Sequence, residues 1–328
     1  MFAIEVPLTP LSFLVIDAEA GHTLAKVLRS RLHESQPSWN DIRDQIGRRR
    51  VKVNDTIVVD PTRRLKLGEK VEFLAKPVPA PKGITPTDLP VRYLDDHIVV
   101  VEKAAGINTV RHPAELAWPE KHKALDPTLE DLTQWAIAAR LGRKSSSLPR
   151  LRVVQRLDRE TSGLLVFTRS VLAERELGMQ FRKHTVVRRY LAVVPGIVTP
   201  QTFRSNLVRD RGDGRRGSTN LPKVGKPAVT HMSVEERLKG YTLVSCRLET
   251  GRTHQIRIHT SEAGHPICGD PVYCIRPDHS TFEDTSGAPR LALHATELGF
   301  VHPVTGANLH WTMPLPPDLD RFVKRLRG

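Results

Sequence analysis

The sequence predicts an α+β fold in two parts, and three observations lead there. Strand-like apolar runs, among them Ile98–Lys103, Val186–Gly196 and Tyr241–Leu248, outnumber the windows with helical periodicity. Five prolines between Lys76 and Pro90 stop any strand or helix and mark a linker over residues 77–90. A length of 328 residues suits two domains, each able to bury a core.

The first part spans residues 12–76. Ser12 to Asp17 reads as a strand, and from Gly21 the pattern turns helical, with Leu24, Val27, Leu28 and Leu32 on one face. Ser38-x-x-Asp41 has the form of a capping box that opens a second helix, Ile42 and Ile46 face inward, and Gly47 ends it. Val51 to Val53, the turn pair Asn54-Asp55 and Thr56 to Val59 make a small hairpin, followed by a last strand ending at Phe73. Leu24, Lys26, Leu28, the Ile42/Ile46 helix, Val51-x-Val53-Asn54 and Leu67-Gly68-Glu69-x-Val71 together resemble the α-L RNA-binding domain of tyrosyl-tRNA synthetases and RNA-modifying enzymes. That resemblance covers about fifty residues. It implies binding of structured RNA, with Lys26, Arg48, Arg49 and Arg50 as the phosphate contacts.

Charge points the same way. The formal net charge is +14 and the pI about 10.0, which favours a polyanionic partner. No basic amphipathic segment with aromatic anchors suggests a membrane surface. Aromatic residues make up 5% of the chain, too few for a series of stacking platforms along a single strand. The three cysteines form no C-x-x-C and suggest neither a disulfide framework nor a metal site. With no apolar stretch of membrane-spanning length and no signal-like start, a cytoplasmic protein is expected.

The second part, residues 91–328, opens with a strand pair around Asp95-Asp96, then an amphipathic helix, Thr128 to Leu141, with Leu129, Leu132, Trp135, Ala136 and Ala139 on one side. Its central stretch is Arg156-Leu157-Asp158-Arg159-Glu160-Thr161-Ser162-Gly163-Leu164, a polar turn between apolar runs. A carboxylate on such a turn can face a ligand while neighbouring cations keep it ionised; its ordinary duty would be to cap the turn. A helix over Val171 to Phe181 follows, with Leu172, Met179 and Gln180 as its marked positions. Gly212-x-Gly214-x-x-Gly217 matches a dinucleotide fingerprint in form, but no strand enters it and no apolar helix follows, so it is a loop. Strands are expected at Gly225–Val234 and Tyr241–Leu248. A turn at Thr250-Gly251 then enters a helix stopped by Gly264, whose first N–H groups can hold a phosphate. His254 and His259, five apart, do not share a helix face as a two-His metal pair would, and read as satisfied structural histidines. The tail, Arg290 through Pro314, reads as paired strands that close the sheet, with a short basic helix after it.

Four groups of residues carry a more specific resemblance. They are Arg156-Leu157-Asp158-x-x-Thr161-Ser162-Gly163-Leu164-Leu165; Arg189-Tyr190-x-Ala192; Gly225-Lys226-x-Ala228-x-Thr230; and Thr250-Gly251-Arg252-Thr253-His254-Gln255-Ile256-Arg257-x-His259 with Gly269-Asp270-x-x-Tyr273 after it. In this order, over about residues 93 to 316, they resemble the RluA-type pseudouridine synthases. Two positions depart from the family's pattern: Gln155 stands where His is usual, and Ala104 where Pro is usual. The resemblance implies a long mixed, mainly antiparallel sheet with helices outside it and a central cleft. It implies isomerisation of uridine to pseudouridine in structured RNA without metal or other cofactor; the appended α-L-like domain favours ribosomal over transfer RNA, because a large structured substrate rewards a second anchoring surface. Asp158 would act at the ribose–base junction, Arg257 would hold it as a bidentate partner, and Tyr190 would stack on the uracil and relay its C5 proton. Arg156, Leu157, Thr161, Ser162, Gly163, Leu164, Arg252, Thr253, His254, Gln255 and Ile256 would line the substrate site, with Leu164 and Ile256 as an apolar wall. A monomer is the default expectation. Two other classes compete: a non-catalytic RNA-binding assembly factor, and a nucleoside hydrolase with paired carboxylates, for which Glu160 lies too close to Asp158 in sequence.

Overall fold

The computed structural model describes residues 10–32, 37–54, 56–78, 88–117, 119–211, 215–221, 223–274 and 282–328. Residues 79–87 of the linker, Asp55 of the first turn and residues 212–214 of the glycine motif lie outside them. The described residues fall into two compact units, one within Met1–Gly83 and Ala117–Asp126, the other within Ile84–Leu116 and Pro127–Gly328. No helix among them is long and apolar enough to cross a membrane.

The first unit contains β1 (Leu11–Leu14), α1 (Leu24–Arg31), α2 (Trp39–Gly47), β2 (Val51–Val53), β3 (Thr56–Ile57) and β4 (Lys70–Phe73). Thr23 caps α1 by accepting from the Lys26 amide, and the Ser38/Asp41 box closes reciprocally on α2 at 3.1 and 2.9 Å. Instead of a lone hairpin there is a four-stranded sheet in the order β1-β4-β2-β3. A two-stranded ribbon is marginal alone, and β1 and β4 supply the area against which Leu24, Leu28, Ile42 and Ile46 are buried.

The second unit is built on β5 (Val91–Leu94), β6 (Ile98–Lys103), α4 (Leu129–Leu141), β7 (Arg152–Val153), β8 (Ser162–Thr168), α5 (Val171–Arg182), β9 (Val187–Pro195), β10 (Gln201–Val208), β11 (Gly217–Thr219), β12 (Lys226–Leu238), β13 (Tyr241–Leu248), α6 (Gln255–Glu262), β14 (Leu293–Val301), β15 (Asn308–Thr312) and α7 (Pro317–Arg327). The remaining helix, α3 (Glu120–Leu125), falls within the first unit's segments. Eleven strands form one sheet along the path β11-β10-β12-β13-β9-β14-β8-β6-β5, with β15 on β14 and β7 on β8. Every pairing is antiparallel except β14 with β8, so the sheet is mixed and mainly antiparallel as expected.

Both faces of the sheet centre are covered. Val99, Val101, Leu165 and Phe167 pack on one side with α4 and α7; Ile98, Val100, Leu164 and Val166 pack on the other with α5. That explains why β6 and β8 read as continuous apolar runs. On α4 the buried side is Leu129, Leu132, Thr133, Ala136 and Ile137, and Ala139 faces solvent. On α5 the buried pair is Ala173 and Leu177, with Leu172 exposed, which corrects the expected face. β10 was not foreseen: it carries only Phe203 and Leu207 as apolar positions facing inward, too few for a pattern against its polar neighbours. β14 does not close an edge but lies between β8 and β9.

One edge of β8 is shared. β14 pairs with Ser162 and Gly163, and β7 with Phe167 and Thr168. Gly163 has φ +127°, and a Cβ there would collide with the Ala295 backbone. Gly163→Ala is therefore expected to lower stability by about 3 kcal/mol. An unchanged denaturant midpoint would show that β14 can move aside.

Candidate active site

The fork between β14 and β7 opens a cleft of about 740 Å³. Asp158 lies on the turn that runs from β7 into β8, and that turn is clasped by the loop after β6. Thr109 Oγ1 donates to the Leu157 carbonyl (2.7 Å) and accepts from the Leu157 amide (3.1 Å). Gly106 donates to the Arg159 carbonyl, and Arg159 Nε returns a bond to the Gly106 carbonyl. Beneath them Lys103, fully buried, donates to the carbonyls of Ala104 (3.0 Å), Arg159 (2.8 Å) and Thr161 (2.8 Å). Burial pushes this lysine down to about 7, against the pull of Glu160 and Asp158. Three carbonyl acceptors match the three protons of the ammonium form, and we assign that form at neutral pH. The clasp holds although Ala104 replaces the usual proline.

The Asp158 carboxylate accepts no hydrogen bond among the described residues. Its nearest basic groups are the Arg257 guanidinium, with Nη1 at 3.7 Å from Oδ2, and the His254 ring, with Nε2 at 3.9 Å from Oδ1. The flanking arginines do not supply its charge partner: Arg159 turns to Gly106, and Arg156 is exposed on the cleft wall. Arg257 is not its bidentate partner either. Nε and Nη2 of Arg257 fork onto Asp270 at 2.7 and 2.6 Å, leaving Nη1 for Asp158. Burial alone would lower the Arg257 pKa, and the Asp270 bonds reverse the sign and raise it. Asp270 also accepts the amides of Val272 and Tyr273, so its position is set by the turn it belongs to.

His254 begins α6 in the left-handed region at φ +59°, and its Nδ1 lies 2.9 Å from the Tyr273 hydroxyl. Burial holds this histidine below its ordinary pKa, opposed by the charge of Asp158. Tyr273 packs its ring 5.0 Å from the Arg257 guanidinium. Tyr190, in the middle of the sheet between β13 and β14, is buried and raised by burial, with Asp158 adding to the rise against Arg188. Its hydroxyl has no partner among the described residues.

Of the site residues expected from sequence, Arg156, Leu157, Asp158, Thr161, Tyr190, Arg252, Thr253, His254, Gln255, Ile256 and Arg257 come together around this cleft. Ser162, Gly163 and Leu164 do not. Ser162 is buried with Oγ 2.9 Å from His294 Nδ1, Gly163 sits against Ala295, and Leu164 points to the opposite face of the sheet. The apolar wall is made by Leu157, Tyr190, Leu248, Ile256 and Leu293 instead. Gln255 lines the cleft without hydrogen-bonding capacity to spare. Its oxygen accepts from Thr250 and the Arg252 amide, and its nitrogen donates to the Val229 carbonyl and Thr230.

In the first unit, Lys26 lies on α1 with Nζ 3.3 Å from His22, and Arg48 pairs with Asp44 at 2.8 Å. Arg50 is committed to structure: it donates to the Leu74 carbonyl and Gln45 and stacks 4.4 Å over Phe73. It is not a phosphate contact in this arrangement.

Residues 97–262 match the family model described as RNA pseudouridylate synthase. A ribosomal large subunit pseudouridine synthase D from Nitrosomonas europaea is 35% identical over 327 residues, covering 97% of this chain and 88% of that one. The chain belongs to the RNA pseudouridylate synthase family. The protein of the same name from Zymomonas mobilis is 36% identical over 76% of this synthase and 77% of its own length. Among solved structures, human RNA pseudouridylate synthase domain containing 4 superposes with a TM-score of 0.57 at 21% identity, covering 72% of the synthase and 92% of that chain. Human RNA pseudouridylate synthase domain containing 1 gives 0.53 at 24%, over 75% and 90%. These two share the fold. The synthase is an isomerase acting on uridine in RNA.

Several residues that build the synthase's site escaped sequence reasoning: Lys103, Thr109, Arg188, Asp270 and Tyr273. Asp270 and Tyr273 stood inside a recognised motif, and only their contacts with Arg257 and His254 give them roles. His259, read as structural, is that: its ring nitrogens meet Thr230 and Ser205 at 2.9 Å. Burial lowers His259 and His294 to about 4 each. Between their ordinary value and 4, the unfolded chain takes up protons that the folded one refuses, so stability falls as pH drops from about 6.5 to 4. The loss is of order 3 kcal/mol per histidine. Denaturant melts at pH 7 and 4.5 measure it, and His259→Gln with His294→Gln should narrow the difference; an unchanged difference would refute it.

Proposed function

We propose that the synthase isomerises uridine in large-subunit ribosomal RNA, on a base taken out of its stack, with Asp158 as the catalytic carboxylate and no cofactor. One observation carries this: a carboxylate that accepts no hydrogen bond among the described residues faces a cleft of about 740 Å³ beside a guanidinium that is itself fixed by a second acid. Asp158 acts at the ribose C1′, as nucleophile or as base on the sugar, while the N1–C1′ bond breaks. The uracil turns within the apolar wall, C5 bonds to C1′ as any bond from Asp158 to C1′ breaks, and the C5 proton passes to N1, for which the Tyr190 hydroxyl is the relay. Arg257 Nη1 holds the carboxylate's direction and charge. The ribosomal substrate rests on the relatives from Nitrosomonas and Zymomonas, both named as ribosomal large subunit pseudouridine synthases.

The hydrolase alternative lacks a second free carboxylate on the wall. Glu174 is there, but it is paired with Arg152 at 2.8 Å. Purified protein on an unmodified large-subunit RNA transcript decides the matter. Pseudouridine at discrete positions, read by mass after chemical labelling, is expected, and free uracil without pseudouridine would replace this reading with hydrolysis. The first unit is assigned to RNA-backbone binding. Arg48→Ala with Arg49→Ala should flatten the salt dependence of binding by about 0.7–0.9 for each phosphate no longer neutralised. An unaltered slope removes those residues from the interface.

A further inference from the structure

Arg188, on β9 two residues before Tyr190, lines the same cleft and pairs with no acid among the described residues. It is 6% exposed. Nη2 donates to the carbonyls of Glu249 (2.7 Å) and Leu248 (3.4 Å), while Nε is buried without a partner among the described residues. Nη1 lies over Gly251, where a Cβ would come within 2.8 Å of it. The guanidinium carbon sits 5.3 Å from the Phe181 ring centroid. Glu174, on the same wall, is engaged with Arg152 at 2.8 Å, and the Glu249 carboxylate with His231 at 2.6 Å. Burial lowers the Arg188 pKa, and only Tyr190 opposes the shift.

A buried guanidinium satisfied only by carbonyls is costly, because nothing returns the hydration its charge has lost. The cost makes sense where the counter-ion arrives with the ligand. RNA brings one anion per nucleotide. We propose that Arg188 is the cleft's phosphate receptor, taking a backbone phosphodiester next to the target uridine on Nη1, with Gly251 leaving room for it. This rests on the reading of the cleft as an RNA site. Arg188 would then fix how far the strand enters, and so which nucleotide reaches Asp158.

The test is binding of a single-stranded pentauridylate, measured by fluorescence anisotropy over a range of salt concentrations. Arg188→Gln should weaken binding about tenfold or more and reduce the salt slope by about 0.7; Arg188→Lys should restore most of the slope. A second series replaces each phosphodiester in turn with a neutral methylphosphonate. For the wild type, neutralising one linkage next to the central uridine should cost as much as Arg188→Gln, and the Gln variant should be indifferent at that linkage. A wild-type salt slope in Arg188→Gln, or equal losses at every linkage in that variant, would mean that Arg188 only props the Leu248 and Glu249 backbone. Thermal melts accompany each variant; if Arg188→Gln unfolds, Arg188→Lys carries the test through a reduced response at the same linkage. Binding is read without turnover. A chain that binds in this way yet makes no pseudouridine overturns the functional reading and not this one.

Discussion

Asp158→Asn is expected to abolish isomerisation, by four or more orders of magnitude in kcat, while leaving fold and RNA affinity near those of the wild type. Loss of a group acting on the reacting bond has effects of about this size. The rest follows from the carboxylate's surroundings. Because Asp158 accepts no hydrogen bond among the described residues, the amide leaves no donor stranded. Because Arg257 keeps both bonds to Asp270, its charge stays paired. Stability should therefore change by less than about 0.5 kcal/mol. Retained turnover in the Asn variant would remove Asp158 from the chemistry; a collapse in stability would mean that its role is to hold the turn.

Asp270→Ala is expected to damage both stability and activity. The Asp270 side chain is fully buried, and it is the fork that holds Arg257. Removing one partner of a buried pair leaves the other charge desolvated and unmatched, at a cost of about 3–5 kcal/mol. Arg257 would then turn its fork toward the next acid, Asp158, whose nearest oxygen is 3.7 Å from Nη1. The two signatures separate Asp270 from Asp158: loss of stability with loss of kcat in one, loss of kcat alone in the other. Urea titration and single-turnover kinetics read both. A stable, active Asp270→Ala enzyme would show that Arg257 needs no second acid.

What could be read from sequence was what lies close along the chain. The Asp158 turn, the Ser38 cap, the amphipathic helix after Thr128 and the apolar runs of β6 and β13 are local patterns, and each appears in the structure where the sequence placed it. What could not be read depends on partners distant in sequence. Lys103 gives no local sign that its ammonium holds carbonyls of the Arg159–Thr161 turn, and Asp270 none that it takes Arg257 from Asp158. Ser162, Gly163 and Leu164 were misplaced because they continue a motif whose polar half faces the cleft. One residue past Thr161 the chain has become β8, where β14 presses on Gly163 and alternate side chains turn to the far side of the sheet. The face of α5 was ambiguous for a similar reason. Its apolar residues are spread around the helix, and the sheet takes the pair Ala173 and Leu177.

The most direct test of the central claim is pseudouridine mapping by mass on ribosomal RNA from cells lacking the gene, complemented either with the wild type or with Asp158→Asn. Loss of one or a few modified large-subunit positions, restored by the wild type and not by the Asn variant, is the predicted result. Restoration by the variant, or a ribosomal RNA whose modifications never changed, would contradict it.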